Sequence, residues 1–199
     1  MQFRMTYEGP LKPSGNNNRN TANKHHIRKA LHPQLRNVWK LNPNLKSIGE
    51  VPASPGKEPF LQHLASNYPL QDYRFVPLVT EELRLRCGLD ILYLRHGSPG
   101  NILQSDDIDN RIKTLFDALK RPTALQDLGP NYIPPGPDEN PFFVLLEDDA
   151  LITKLIVETD LMLEPLIGGI PDETDARLVI TVTLRPYVVT IQNMGLASG

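Results

Sequence analysis

Residues 83–95 read LRLRCGLDILYLR and contain the clearest secondary-structure pattern of the chain. Apolar side chains occupy every second position of this stretch, at Leu83, Leu85, Cys87, Leu89, Ile91 and Tyr93. The positions between them include Arg84, Arg86 and Asp90. A period of two places the apolar side chains on one face of a β-strand. The pattern therefore predicts a half-buried strand around which the other elements are arranged.

Strands and two helices are predicted on either side of this strand. The further strands are expected at 2–7, 73–79, 151–163 and 177–187. Apolar residues spaced by three and four predict one helix from Thr21, which Pro33 should kink or divide in two, and a second helix over 109–120. Since strands and helices do not alternate regularly, we expect an α/β fold of the α+β type, with a single mixed sheet and two main helices packed on it.

Length and composition suit one soluble domain. The chain has 199 residues, of which 40% are hydrophobic, and this is enough to form one core. It has no run of eighteen apolar residues, and its start lacks the features of a signal or transit peptide, so we expect a cytoplasmic protein without a membrane span. Cys87 is the only cysteine, which excludes an internal disulfide and favours a role in core packing.

The charges are distributed unevenly along the chain. Residues 1–47 contain nine Lys and Arg but one acid, Glu8, whereas 138–175 contain eleven Asp and Glu but one base, Lys154. This split fits a protein that binds phosphates with one surface and cations with another, although two solvated faces would give the same count. The best candidates for phosphate contacts lie on the first predicted helix and are Arg28, Lys29 and Arg36.

The second helix begins with an acidic cluster, DDIDN at 106–110. One aspartate at a helix start is ordinary, because it accepts hydrogen bonds from free N–H groups and meets the positive end of the helix dipole. Three aspartates exceed that need. Asp109, Lys113 and Asp117 follow at i, i+4 spacing, as in a surface ladder of ion pairs. Taken alone, the segment is typical of a capped, solvated helix.

Several familiar motifs are absent from the sequence. Counted from Asp107, an EF-hand loop would need Asp or Asn where Arg111 stands and Gly where Ile112 stands. HExxH, the P-loop and GxGxxG do not occur either. The acids therefore belong to none of these calcium, zinc or nucleotide sites.

A second acidic cluster, Glu147, Asp148 and Asp149, precedes the predicted strand at 151–163. If the sheet brings this point beside the start of the second helix, at least four carboxylates converge near Lys113. Carboxylates that close together repel, and a bound Mg²⁺ or Mn²⁺, which prefers oxygen ligands, would relieve the repulsion. Such an ion activates water and stabilises charge on a phosphate during phosphodiester hydrolysis.

The two clusters together resemble a known family. The pattern D-x-D-N-x-x-K, followed by F-D-A-L at 116–119 and later by D-D-A at 148–150, is similar to that of the RusA family of Holliday junction resolvases. The matching residues of the first pattern are Asp107, Asp109, Asn110 and Lys113. The resemblance is sharp over 107–119 and 148–150, and looser over the first strand, the turn after it and the first helix.

The resemblance implies a RusA-like fold and a homodimeric, Mg²⁺-dependent endonuclease that acts in DNA recombination and repair. Such an enzyme binds four-way junctions and nicks strands of like polarity symmetrically. Carried over by position, Asp107, Asp109 and Asp149 would hold the metal, and Asp148 would be a neighbouring ligand. Lys113 would be the essential basic residue and would contact the scissile phosphate or stabilise its charge. The resemblance also suggests a bacterial or prophage origin.

The chain is longer than this family requires. Pro-rich stretches near 42–59 and 121–141 would be insertions in a single RusA-like domain covering 1–199, and both are expected to be connections without helices or strands. The second stretch begins beside the proposed site, so it bears on junction specificity. Two alternatives stay open: a protein that binds branched DNA without cutting it, and a metal-dependent nuclease that acts on flaps or single strands.

Overall fold

A computed structural model describes residues 1–14, 20–52, 56–96, 106–166 and 172–197, without the side chains of Asp106 and Asp107. Two short 3₁₀ turns lie at Leu125–Leu128 and Asp149–Leu151. The helices and strands of the described residues follow in chain order: β1 (Gln2–Pro10), α1 (Thr21–Leu41), α2 (Pro43–Glu50), α3 (Phe60–Asn67), β2 (Pro69–Leu70), β3 (Tyr73–Val79), β4 (Leu85–Arg95), α4 (Asp106–Leu119), β5 (Phe142–Leu146), β6 (Ile152–Leu161), β7 (Asp175–Pro186) and α5 (Met194–Ala197).

The chain has the expected mixed α/β architecture, but its strands form two sheets within the described residues. The larger sheet has the order β1-β7-β4-β6, in which β4 and β6 are parallel and the other neighbours are antiparallel. The smaller sheet has the order β2-β3-β5, in which β3 and β5 are parallel. The prediction of a single mixed sheet was therefore wrong, because β5 was missed and β3 pairs with it.

Strand β5 escaped prediction because both of its faces are buried. Its sequence, FFVLL at 142–146, is uniformly apolar, and all five residues are buried. A strand of this kind lacks the alternation by which a half-buried strand is recognised. β4, in contrast, alternates as predicted, and its inward-facing residues are at most 1% exposed. One of them is Cys87, which packs in the core as expected, and burial raises the pKa of its thiol to about 12.

The prediction for 42–59 was wrong as well, because α2 lies within this stretch. The Asn42 side chain accepts hydrogen bonds from the N–H groups of Asn44 and Leu45, both at 3.0 Å, and so caps the helix. Pro43 occupies the first turn, where proline's missing N–H costs nothing. Proline thus starts a helix here. Pro33 does not divide α1, which continues from Thr21 to Leu41 with Pro33 on its exposed face.

Arg28 joins α1 to the end of α4 from inside the protein. It is only 3% exposed. Its guanidinium donates to the carbonyl oxygens of Asp117 (2.6 Å) and Lys120 (3.1 Å) at the C-terminus of α4, and to that of Asp127 (3.0 Å). The last carbonyls of a helix lack partners within the helix and carry partial negative charge. Arg28 therefore caps α4 and holds the turn at Leu125–Leu128 that follows the helix. Burial lowers the pKa of Arg28 to about 10, so the group remains charged at neutral pH.

Two buried histidines of α1 hold the smaller sheet. His32 accepts the N–H of Phe143 at 2.9 Å through Nδ1, which leaves Nε2 to donate to the carbonyl of Asp138 at 2.9 Å. His25 packs against the rings of Tyr73 and Phe142, with ring centroids 5.7 and 6.1 Å away. Burial, with the nearby charges of Arg28 and Lys29, lowers the pKa of His25 to about 4. Both histidines are therefore neutral in the folded protein near pH 7. None of the described helices combines the length and apolar composition of a membrane span.

Replacing Arg28 with methionine should destabilise the fold strongly. The Arg28→Met change leaves three partly buried carbonyls without this donor, so we expect the free energy of unfolding to fall by about 3 kcal/mol. Urea unfolding measures this change. Arg36→Met is the matched control, since Arg36 is half-buried on the same helix and pairs only with Asp138, which is exposed; its cost should stay below about 1 kcal/mol. Equal losses in the two variants would contradict the capping role.

Stability should decrease in acid because of His25. Its pKa of about 4 in the folded state lies below its ordinary value of 6.5, so between these values the unfolded chain binds the extra proton. The free energy of unfolding should therefore fall by about 3 kcal/mol from pH 6.5 to 4 through this residue. A His25→Gln variant should show a correspondingly shallower fall, while the contribution of His32 remains. The same slope in both proteins, measured by urea unfolding across this range, would exclude the effect.

Candidate active site

The first acidic cluster lies at the start of α4, as predicted. Asp109 and Lys113 are one helical turn apart and form an ion pair of 2.9 Å, with side chains 73% and 59% exposed. Asp107 belongs to the first turn of the same helix, but its side chain lies outside the described residues. The apolar stripe of α4 faces inward, with Ile112 and Leu115 buried. The helix therefore presents Asp109 and Lys113 to solvent.

The second acidic cluster follows β5 directly. Asp148 caps the turn Asp149–Leu151, because its Oδ1 accepts the N–H of Ala150 at 2.9 Å. The Glu147 side chain points towards Glu81, whose N–H its Oε2 accepts at 3.0 Å. Asp149 is left to project from the turn, and its Oδ2 lies 2.9 Å from Nζ of Lys120. The cluster thus contributes Asp149 to the surface beside α4.

Asp149 belongs to a chain of ion pairs that includes α4 and α1. Lys120, just after α4, bonds through Nζ to Asp149 (2.9 Å) and to Oδ1 of Asp117 (3.1 Å), while Lys24 of α1 reaches Oδ2 of Asp117 at 2.6 Å. Burial alone would raise the pKa of Asp117, but the hydrogen bonds from Lys24 and Lys120 outweigh it and lower this pKa. Burial likewise opposes the charge of Lys120, yet Asp149 and Asp117 raise its pKa. Two carboxylates from different segments thus converge on one ammonium group.

Among the described contacts, the turn that carries Asp149 meets the end of α4 and not its start. Asp149 contacts Lys120 at the end of the helix, whereas Asp109 lies eight residues before Asp117, or about 12 Å along the axis. Among the described side chains, which exclude those of Asp106 and Asp107, no three His, Cys, Asp or Glu residues are arranged to hold a metal ion. The oxygen ligands suit Mg²⁺ chemically, but the described geometry brings only Asp117 and Asp149 to a common cation, Lys120.

One charged face of α4 nevertheless links the two clusters. Asp109, Lys113, Asp117 and Lys120 recur at spacings of four, four and three, so they share a face of the helix. Asp109 and Lys113 were predicted from the sequence. The pairing of Lys120 with Asp117 and Asp149 was missed. The spacing of Asp117 and Lys120 was the available signal, since residues three apart are neighbours on a helix surface. The link from Lys120 to Asp149 needed the tertiary structure.

The three basic residues proposed for phosphate contacts all contact the segment 117–139. Arg28 is interior and bonded to three carbonyls, as described above. Lys29 pairs with Glu139 at 3.0 Å, and Arg36 pairs with Asp138 at 3.3 Å. These contacts hold the Pro-rich segment after α4 against α1. Leu128 belongs to this segment, and its buried side chain packs against the smaller sheet.

Lys120→Met should raise the pKa of Asp117. The change removes one of the two cations beside this carboxylate and leaves its partial burial in place. NMR titration of the side-chain carboxyl carbon measures the shift directly. Lys29→Met is the matched control, because the Lys29 ammonium pairs with Glu139 instead, and it should leave the pKa of Asp117 in place. A pKa of Asp117 unaffected by Lys120→Met would show that the Lys120 contact is not made in solution.

The chain was also compared with known proteins. Models of protein families, curated protein sequences and solved structures were searched, and none of them matches this chain. Local geometry and the two sequence motifs are therefore the grounds on which a function can be argued.

Proposed function

We propose that the chain is a Mg²⁺-dependent endonuclease of RusA type, which resolves four-way DNA junctions by paired symmetric nicks as a homodimer. The support comes from the joint presence of D-x-D-N-x-x-K on α4 and D-D-A in the turn after β5. One observation carries the proposal furthest: Asp149 of the second motif reaches the helix of the first motif, where it shares a cation with Asp117. Two segments distant in sequence thereby contribute carboxylates to one charged face.

In this proposal the metal would be held by Asp107, Asp109 and Asp149, with Asp148 beside them. Asp149 would have to leave Lys120 and turn towards the start of α4 to join the other two. The ion, when bound, activates a water and stabilises charge on the phosphate oxygen. Asp148 fixes the turn through its cap on Ala150 and so sets the direction in which Asp149 projects. Asp109 has freedom to reorient, since its side chain is 73% exposed and held only by the pair with Lys113 among the described contacts.

Lys113 would act on the phosphate. Its ammonium lies on the exposed side of α4, 59% exposed, and its contact with Asp109 is a surface ion pair of small net strength. A phosphate oxygen can therefore replace Asp109 as its partner at little cost. Held there, the ammonium stabilises the negative charge that grows on the phosphate in the transition state. Lys113 thus serves the cleavage step more than the binding of DNA.

Phosphate binding away from the cut would use the exposed bases of α1. Lys29 and Arg36 have partly exposed side chains, 34% and 28%, and their acidic partners lie at the segment 138–139. In this proposal Arg28 is structural, because its donors are bonded to carbonyls inside the protein. Contacts by Lys29 and Arg36 would be electrostatic and independent of base sequence. They suit a substrate recognised by its shape.

A second candidate is a protein that binds branched DNA without cutting it. The observation in its favour is that both motifs have ammonium partners within the chain: Asp109 pairs with Lys113, and Asp149 pairs with Lys120. These pairs neutralise the acids without a metal ion. The two candidates differ in whether a divalent ion displaces the lysines, and this difference is measurable.

Cleavage of a labelled four-way junction with Mg²⁺, beside a linear duplex of the same sequence, tests the proposal. We expect paired symmetric nicks in the junction alone and none with Asp109→Asn. Lys113→Ala should retain junction binding but cut at least about 100-fold more slowly, because charge stabilisation acts in the transition state. Lys46→Ala, at an exposed lysine paired with Glu50 on α2, is the control and should cut normally. Full activity in Lys113→Ala would remove its assigned role.

Other outcomes select other functions. Junction binding without nicks, with Mg²⁺ present, would favour the non-cleaving protein, and cleavage of flaps or single strands alone would favour the other nuclease. Calorimetric titration with Mn²⁺ measures directly whether the protein binds a divalent ion, as both nuclease functions require. Asp149→Asn should weaken ion binding at least about tenfold, because one charged ligand is lost. Undiminished ion binding in this variant would exclude Asp149 from the metal site.

A further inference from the structure

Strand β6 forms an open edge of the larger sheet. Among the described residues it pairs with β4 alone, over ten residues without proline. None of its ten residues is buried, and its exposed apolar side chains include Leu155 at 44% and Ile156 at 41%. An edge strand presents unpaired N–H and C=O groups, which readily pair with another strand. A long edge with exposed apolar side chains is therefore suited to association.

The opposite edge of the same sheet is protected. The side-chain amide of Gln34, on α1, bonds to both main-chain groups of Thr6 in β1: Oε1 accepts the N–H at 2.9 Å, and Nε2 donates to the carbonyl at 2.7 Å. The amide thus occupies the hydrogen-bonding groups that a further strand would use at this point. On the outer edge of β6, the described contact of this kind lies at the end of the strand, where Oδ1 of Asp160 accepts the N–H of Leu161 at 2.7 Å. Among the described contacts, no side chain occupies the outward-facing groups of Leu155 and Val157 in the middle of the strand. The β1 edge is therefore blocked at Thr6 by a side chain, whereas the middle of the β6 edge is free to pair.

The pairing of β6 shows which of its backbone groups face outward. Met162 donates its N–H to the carbonyl of Arg95 in β4 at 2.8 Å, and after Thr153 the pairing with β4 proceeds without a further shift. Since the N–H and C=O of one residue point to the same side, and successive residues alternate, the groups of Ile156 face β4. Those of Leu155 and Val157 face the open edge.

The sequence of β6 is self-complementary about Ile156. In an antiparallel pair of two copies centred there, Leu155 lies opposite Val157 of the other copy, and Lys154 lies opposite Glu158. Within one chain Lys154 and Glu158 are four residues apart, about 13 Å, so they cannot reach each other. Neither has an ion-pair partner among the described side chains. Pairing of two copies would supply the missing partner for each.

We propose that two copies of this chain associate through antiparallel pairing of their β6 strands, centred on Ile156, into one eight-stranded sheet. Leu155 and Val157 of opposite copies exchange two main-chain hydrogen bonds on either side of the two-fold axis. The two Ile156 side chains meet at the axis, on the face that carries Lys154 and Glu158. Each interface contains two Lys154–Glu158 pairs, one on each side.

This interface deepens the homodimer of the proposed function but is argued from β6 alone. It would stand if the chain cut no DNA, because no catalytic residue takes part in it. Molecular mass and cross-linking report on the interface, and the variants that change it involve none of the residues assigned to cleavage. Failure of the interface is therefore distinguishable from failure of the nuclease proposal.

Light scattering on a sizing column gives the first test. The wild-type protein should have twice the chain mass of 22.4 kDa at micromolar concentration. Lys154→Glu and Glu158→Lys should each raise the dissociation constant at least about tenfold, since each replaces two attractive cross-strand pairs with two repulsive ones. The double variant restores opposite charges and should return to within about threefold of wild type. Lys46→Glu, at an exposed lysine of α2, should have no effect.

Cross-linking gives the second test and fixes the register. Opposite residues of an antiparallel pair that exchange no hydrogen bonds lie about 4.5 Å apart at Cα, within the range a disulfide spans. Oxidised Ile156→Cys protein should therefore run as a covalent dimer on a non-reducing gel. The native Cys87 is buried and should leave the wild type uncross-linked. Val189→Cys places a cysteine at another exposed position and should remain monomeric on the gel.

The proposal is overturned by a wild-type protein that is monomeric at these concentrations. It is overturned equally by a dimer that survives both single charge reversals and gives no Ile156→Cys cross-link, since that dimer uses another surface. Loss of the dimer in each single variant, its recovery in the double variant and cross-linking at residue 156 together establish it.

Discussion

The buried guanidinium of Arg28 holds together the parts of this protein that form the candidate site. It is one charge that donates to three main-chain carbonyls, two of them at the end of α4 and one in the turn beyond it. Because the two carbonyls at the end of α4 belong to Asp117 and Lys120, the same contacts hold the backbone from which both side chains reach the surface. The ion pairs from Lys24 to Asp149 are built on that anchored end.

The uneven charge of the sequence is explained in part within the molecule. Basic residues of α1 meet acids of the segment after α4: Lys24 meets Asp117, Lys29 meets Glu139 and Arg36 meets Asp138. A charge count along the sequence is compatible equally with two surfaces for two partners and with two segments that pair with each other. Three of these bases pair with acids of the same chain and Arg28 is buried, so fewer bases are available to a polyanion than the nine counted in the first 47 residues.

What the sequence could predict follows from which contacts are local. The alternation at 83–93 and the stripe of Ile112 and Leu115 reflect one exposed and one buried face, and both elements were found where expected. β5 has no exposed face and gave no period, and the split into two sheets was missed with it. The Asp109–Lys113 contact was predictable because it lies within one helical turn. The meeting of Asp149 with Lys120 joins positions 29 residues apart, and only the packing of β5 beside α4 brings it about.

The two candidate functions differ in whether a metal ion replaces the ammonium of Lys120 at Asp149. This ammonium already occupies the Oδ2 side of Asp149, so an ion at this carboxylate must replace it there. Lys120 is 30% exposed and has a flexible stem, so its side chain can move away without disturbing the core. Its main-chain carbonyl would stay bonded to Arg28, and the end of α4 would keep its position. The fold therefore separates the part of the site that must stay fixed, the backbone held by Arg28, from the part that must exchange, the ammonium of Lys120. A site arranged in this way can change its cation without refolding, and this is what a metal-dependent activity at Asp149 would require.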